Sequence, residues 1–177
     1  MDYNFDFRNP YQSMTFYSVE GTIVDMEPTR IGNRKADGCQ MFVSIEDMDG
    51  NIVNFIVTPS TYVVDYTMLR EGMKAVFYYR ADAPAPLIYP PQYNAAVVVP
   101  DRRDGKFISV GYFNNSLMNE DRTLQLNMNN RVRVVTTNNQ VFLGSPADHN
   151  LVVTYETTTR SIPAQTTPEK IVVLCGQ

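Results

Sequence analysis

Along most of this chain apolar and polar residues alternate with a period of two, and the exceptions are short apolar runs such as residues 95–99 and 171–175. Both patterns belong to β-strands, because a strand turns successive side chains to opposite faces and a strand buried on both faces reads as a short apolar run. The pattern predicts a first series of strands over 17–26, 39–47, 51–58, 73–79 and 95–99. A second series follows over 107–113, 123–128, 131–137, 140–143, 151–155 and 170–175. Only 59–72, opened by Pro59 and closed by Gly72, reads as a short helix or turn.

Turn chemistry fixes two registers. If Met48, Asp49 and Gly50 form a three-residue loop with Gly50 left-handed, Ile45 pairs with Val53 and Val43 with Phe55, which makes one continuous apolar face. The same register puts Phe42 opposite Ile56 and Ser44 opposite Asn54 on the outer face. Two large apolar side chains on an outer face need a cover, so Phe42 and Ile56 are candidate interface residues. Further on, Asn138-Asn139 suits a two-residue type I′ turn, which would set Val134 opposite Leu143 and Thr136 opposite Val141.

The charged run of Asp101, Arg102, Arg103, Asp104 and Gly105 divides the chain. Residues 1–14 read as a mobile arm, 15–100 as a first β module and 101–177 as a second. The connector has no Gly/Ser run, so the modules are expected to pack on each other. Fragments of the first recur in the second. Ser18, Val19 and Gly21 match Ser109, Val110 and Gly111; Val76 to Tyr79 matches Val152 to Tyr155. Ile88, Pro90 and Gln92 match Ile162, Pro163 and Gln165, each followed by an apolar strand, so an internal duplication is one reading and convergent β patterning the other. The fold class expected is all-β, as two tandem small barrel or sandwich modules.

Three strands, a short helical connection and two more strands over residues 15–100 resemble an OB-fold in element order, with no family sequence motif. The resemblance implies a small Greek-key barrel, whose ligands would be single-stranded nucleic acid or oligosaccharide. It also implies a ligand face flanked by loops 29–38 and 80–94. The first loop carries Arg30, Arg34 and Lys35, opposed only by Asp37; the second carries Tyr89, Gln92 and Tyr93 among prolines. Cations beside aromatics can pair phosphates and stack on bases or sugars. The alternative is a solvated loop and a proline-stiffened connection.

Composition narrows the functions. A net charge of −4 argues against a protein built chiefly around a phosphate backbone. With only Cys39 and Cys175, there is no disulfide framework, and both are expected to be buried thiols. The start of the chain lacks the basic and apolar regions of a signal peptide, and no run reaches a membrane span, so a cytoplasmic setting is expected. His149 is the only histidine, with no second histidine or cysteine near it in sequence to form a dyad or metal site. No nucleophile elbow, phosphate loop or zinc-protease motif is present. Asp47, Asp49 and Gly50 lack the further oxygen ligands of a calcium loop and read as a hairpin turn. These readings converge on a protein with no catalytic, metal or cofactor site. It would bind a protein partner or its own copies through exposed β surface and Pro-rich loops, with an OB-type nucleic-acid or oligosaccharide binder as the alternative.

Overall fold

The computed structural model describes residues 15–30, 32 and 37–176. The predicted arm over residues 1–14 lies outside them, as do Arg34 and Lys35. The chain is all-β. Its strands are β1 (Phe16–Pro28), β2 (Met41–Glu46), β3 (Ile52–Val57), β4 (Tyr62–Val63), β5 (Lys74–Arg80), β6 (Gln92–Asn94) and β7 (Val97–Pro100). They continue as β8 (Phe107–Phe113), β9 (Leu124–Leu126), β10 (Arg133–Thr136), β11 (His149–Tyr155), β12 (Ala164–Thr166) and β13 (Lys170–Val173). The expected helical connection in 59–72 is a single 3-10 turn, Val64–Tyr66.

The first seven strands form one sheet in the order β4-β7-β5-β1-β2-β3-β6. β6 and β7 are consecutive in the chain yet lie toward opposite edges of that sheet. The Ala95 amide donates to Ile56 on β3 and the Ala96 amide to Tyr78 on β5, so residues 91–100 link the two edges. In the second half β10-β13-β11-β8 form one sheet and β12-β9 another. Strands β6 and β7 run parallel to β3 and β4, and β12 and β13 run parallel to β9 and β10.

The cores explain why the halves do not separate. One apolar cluster fills the first half around Ile23, Val43, Ile45, Phe55, Phe77 and Val98. Another fills the second around Phe113, Leu124, Leu151, Val153, Ile171 and Val173. A third joins Phe16, Tyr62, Val97 and Val99 to Val135, Val152, Val172 and Leu174. Strands β7, β11 and β13 are apolar on both faces because each serves two of these layers, which produces the unbroken Val/Ile runs of the sequence. The expectation of two barrels in tandem is corrected accordingly. The parallel pairs layer the chain coil upon coil, in the manner of a solenoid, and the halves share an apolar layer.

The hairpin of β2 and β3 has the expected register: Ile45 pairs with Val53, Val43 with Phe55, Phe42 with Ile56 and Ser44 with Asn54. The Gly50 amide donates to the Asp47 carbonyl, and Gly50 has φ 82°. The second hairpin differs. Asn139 has φ 63°, whereas Asn138 is not among the residues with positive φ, so the turn cannot be type I′. The turn instead spans Thr137, Asn138 and Asn139, with Val135 opposite Val141. That is a slip of one residue. It sends Val141 and Leu143 into solvent, and residues 140–143 form a bridge in place of a strand.

Candidate binding surface

The segment between β5 and β6 is built from the aromatic end of the first core outward. Tyr79, near the end of β5, lies flat on Tyr93 of β6, with ring centroids 3.9 Å apart and planes at 13°. Both rings border Phe55 at 6.1 and 5.9 Å, and Tyr17 meets Tyr79 edge-on at 6.0 Å. Burial, reinforced by the hydrogen bond to Tyr93, pushes the Tyr79 phenol up to about 12. The two stacked rings satisfy each other, so they form the floor of the loop more than an open stacking platform.

From this floor the loop rises with Pro84, Pro86, Pro90 and Pro91 along it. The Arg80 guanidinium forks onto the Asp82 carboxylate at 2.9 and 3.0 Å, and the Ala81 amide donates to the Thr15 carbonyl. At the tip, Leu87, Ile88 and Tyr89 are 104, 53 and 85% exposed. The corresponding connection in the second half presents Ile162, which is likewise exposed, beside Pro163.

The residues singled out in the sequence fall into different settings. Tyr89 stands in solvent, Gln92 is half-buried and paired with Asn54 across the sheet, and Tyr93 is half-buried in its stack. Arg30 is exposed beyond the end of β1. Arg34 and Lys35 lie outside the described residues. Phe42 is half-buried, while Ile56 is already buried by the chain's own atoms, and the Ser44 hydroxyl donates to Asn54 beside that pair at 2.8 Å. Ile56 therefore needs no further cover.

Other polar groups have structural partners. One ring nitrogen of His149, Nδ1, lies 2.7 Å from the Ala147 carbonyl, and its ring meets Phe142 edge-on. Asp47 accepts from the amides of Asp49 and Asn51, and these bonds, led by Asn51, hold its carboxyl below the usual carboxylate range against the opposing effect of burial. Cys39 and Cys175 are exposed free thiols, a correction to the burial expected of them. Cys39 sits in the turn before β2, its amide bonded to Asp37, and Cys175 lies beyond the end of β13, so neither reaches a core face. Among the described residues no group of three His, Cys, Asp or Glu could hold a metal ion, and no helix is long and apolar enough to cross a membrane.

Sequence reasoning missed a charge cluster across the connector. Arg102 bridges Asp65 at 2.6 Å and Asp104 at 2.5 Å; Lys170 reaches Asp65 at 3.4 Å, and Lys106 pairs with Glu169 at 2.6 Å. Burial would raise the Asp65 carboxyl, but the Arg102 hydrogen bond and charge, followed by Lys170, hold it below its usual range. The charged run after Pro100 was the visible half of this signal; Asp65 and Lys170 come from distant segments. Compared with known proteins, the chain matches no family model and no curated protein.

Proposed function

We propose that the chain is a non-enzymatic binding or assembly module whose main contact is the proline-bearing loop 81–91. The observation that carries this reading is the run of three exposed apolar side chains at its tip, Leu87, Ile88 and Tyr89. Burying a side chain of that size recovers about 1.5–3 kcal/mol, so a consecutive exposed run favours a partner. The prolines and the Arg80–Asp82 fork restrict the free loop, which lowers the entropy lost on docking.

The test is a photo-crosslinking residue at Ile88, with one at Val141 as an equally surface-lying control. A defined adduct from Ile88 alone, lost when Leu87 and Tyr89 are changed to Ser, is the expected result. Identical labelling from both positions would remove the loop as a contact site.

The OB-type reading has its own support. In the first half β2 and β5 flank β1, β3 follows β2, and residues 91–100 pair with both β3 and β5, and these pairings support the resemblance in element order. The second half repeats much of this order with β8, β9, β11, β12 and β13, as a duplicated unit would. A fluorescent single-stranded oligonucleotide tests the ligand side of that reading. Salt-dependent binding abolished by Arg30→Ala or Tyr89→Ala would favour it.

A further inference from the structure

The apolar layer between the halves is not covered to its rim. Alternation turns Ser18 and Glu20 of β1 to the same face as Phe16, which lies in that layer, and there they stand opposite Tyr78 and Val76 of β5, with Thr22 opposite Lys74. Val76 and Tyr78 pack against the layer from the first half, and Ile108 and Val110 of β8 pack against it from the second. The second sheet ends at β8. Between that strand and the β1–β5 ladder opens a cleft of about 290 Å³, with Glu20, Val76 and Tyr78 on one side, Phe107 and Ile108 on the other and Pro100 at its end.

Phe107 is 58% exposed, and its ring stacks on Tyr155 with centroids 5.7 Å apart and planes at 29°, so the ring is held in place from behind. The charged side chains around the cleft fall into two sets. Arg102 and Lys106 are committed to Asp65, Asp104 and Glu169. Glu20 and Lys74 are exposed and diagonal to each other on the ladder, and among the described residues their side chains have no hydrogen-bond or ion-pair partner. Asp101 adds a second carboxylate at the connector end. The Tyr78 hydroxyl likewise makes no hydrogen bond among the described residues; burial, with smaller contributions from Glu20 and Tyr155, pushes its phenol up, so it keeps its proton at neutral pH.

This set of groups selects a class of ligand. A carboxylate only accepts hydrogen bonds, an ammonium only donates them and a phenol does both. An anion would meet Glu20 and Asp101, and a cation would meet Lys74, so neither sign of charge is favoured. An uncharged ligand that pairs all three groups needs several hydroxyls, and one that also covers Phe107 needs an apolar face. A sugar ring has both.

We propose that this cleft binds a neutral saccharide, with one ring resting on Phe107 and its hydroxyls bonded to Glu20, Lys74 and the Tyr78 hydroxyl. Both halves contribute to the site, and it makes no use of the loop at Leu87, so it is an activity additional to the contact proposed above.

The test is an array of neutral, acidic and phosphorylated oligosaccharides probed with the labelled full chain, followed by NMR titration with the neutral sugar that is retained best. Neutral glycans should be retained, and the amide shifts should centre on Glu20, Lys74, Tyr78 and Phe107. Phe107→Ala should weaken binding about tenfold, because it removes the ring face, and Glu20→Ala and Lys74→Ala about three- to tenfold each. Phe107→Tyr keeps the ring and should bind as the unaltered chain does, which separates a lost contact from a lost fold. Retention of no neutral glycan would overturn the proposal, as would a preference for acidic or phosphorylated ones. Shifts confined to Arg30 and Tyr89, with Phe107→Ala binding normally, would also overturn it and move the sugar to the OB-type face. Failure of the Ile88 adduct with Phe107-dependent sugar binding intact would remove the loop reading alone.

Discussion

The two halves of the molecule use one scheme of pairing and fill it differently. In each, the first strand pairs antiparallel with a later one, β1 with β5 and β8 with β11, and that strand pairs with the last, β7 or β13. Matching positions on these ladders carry Tyr17 and Phe107 against Tyr79 and Tyr155. The pairs inside differ. The first half stacks Phe55 on Phe77 at 4.8 Å and adds the Tyr79–Tyr93 stack, whereas the second places Leu126, Val153 and Thr166 in the ladder positions that correspond to Phe55, Phe77 and Tyr93. The first half is closed by a long hairpin and a large aromatic core; the second shortens the hairpin to bridges from Phe113 to Asn119 and from Met118 to Gln125, and relies on aliphatics and the shared layer. The pairing scheme thus tolerates shortening of a hairpin when a shared apolar layer covers the remaining faces.

The largest expected effect tests which core dominates. Phe55→Ala should lower stability by about 3–5 kcal/mol, because it empties the centre of an aromatic cluster, and Leu124→Ala by about 2–5 kcal/mol. Chemical denaturation measures both. If Leu124→Ala unfolded the chain while Phe55→Ala cost little, the second core would be the foundation and the comparison would reverse.

Gly21→Ala is next, at about 1–3 kcal/mol, because the new methyl must displace the β2 backbone at Glu46. Thermal unfolding measures the loss; an unchanged midpoint would show that β2 does not press on β1 as the structure has it.

The charge cluster gives a smaller, pH-dependent effect. The folded Asp65 carboxyl lies below its ordinary value of 3.8, so its contribution is fully present above that value and is lost as pH falls through the lower, folded value. In Asp65→Asn the acid side of the stability profile should flatten, with a loss of only about 0–1 kcal/mol at neutral pH, as for exposed ion pairs generally. Denaturant midpoints across the acid range provide the check. A profile parallel to that of the unaltered chain would mean that the cluster adds nothing to the joint between the halves.

The smallest effect sharpens the hairpin comparison. Leu143→Ser should change stability by less than about 0.5 kcal/mol, since the side chain is fully in solvent. A loss of core size would restore the register in which Leu143 faces inward opposite Val134.

The two hairpins show how far local pattern carries. Around Gly50, turn chemistry and alternation agree, because only a three-residue loop puts Ile45 and Val43 on the same face as Val53 and Phe55. Around Asn138 the same reasoning chose a two-residue turn from residue type, yet asparagine accepts either sign of φ, and the structure uses the left-handed one at Asn139 only. The candidate site divides in the same way. Tyr89 could be marked as an exposed loop aromatic from its prolines, whereas Tyr93, three residues from Pro90, is claimed by Tyr79 across the sheet. Local spacing contains no trace of that stack.

By itself the sequence determined the all-β class, most strand positions and the first hairpin register, because each follows from period, turn residues and short-range sterics. The tertiary structure decided the rest. The short strands β4, β6 and β12 exist because longer neighbours offer them hydrogen bonds, and the layer joining Val97 to Val152 and Val172 exists because two faces met. Each is a pairing between residues distant in the chain, and an amino acid's own preference says which face it seeks, not which neighbour it finds.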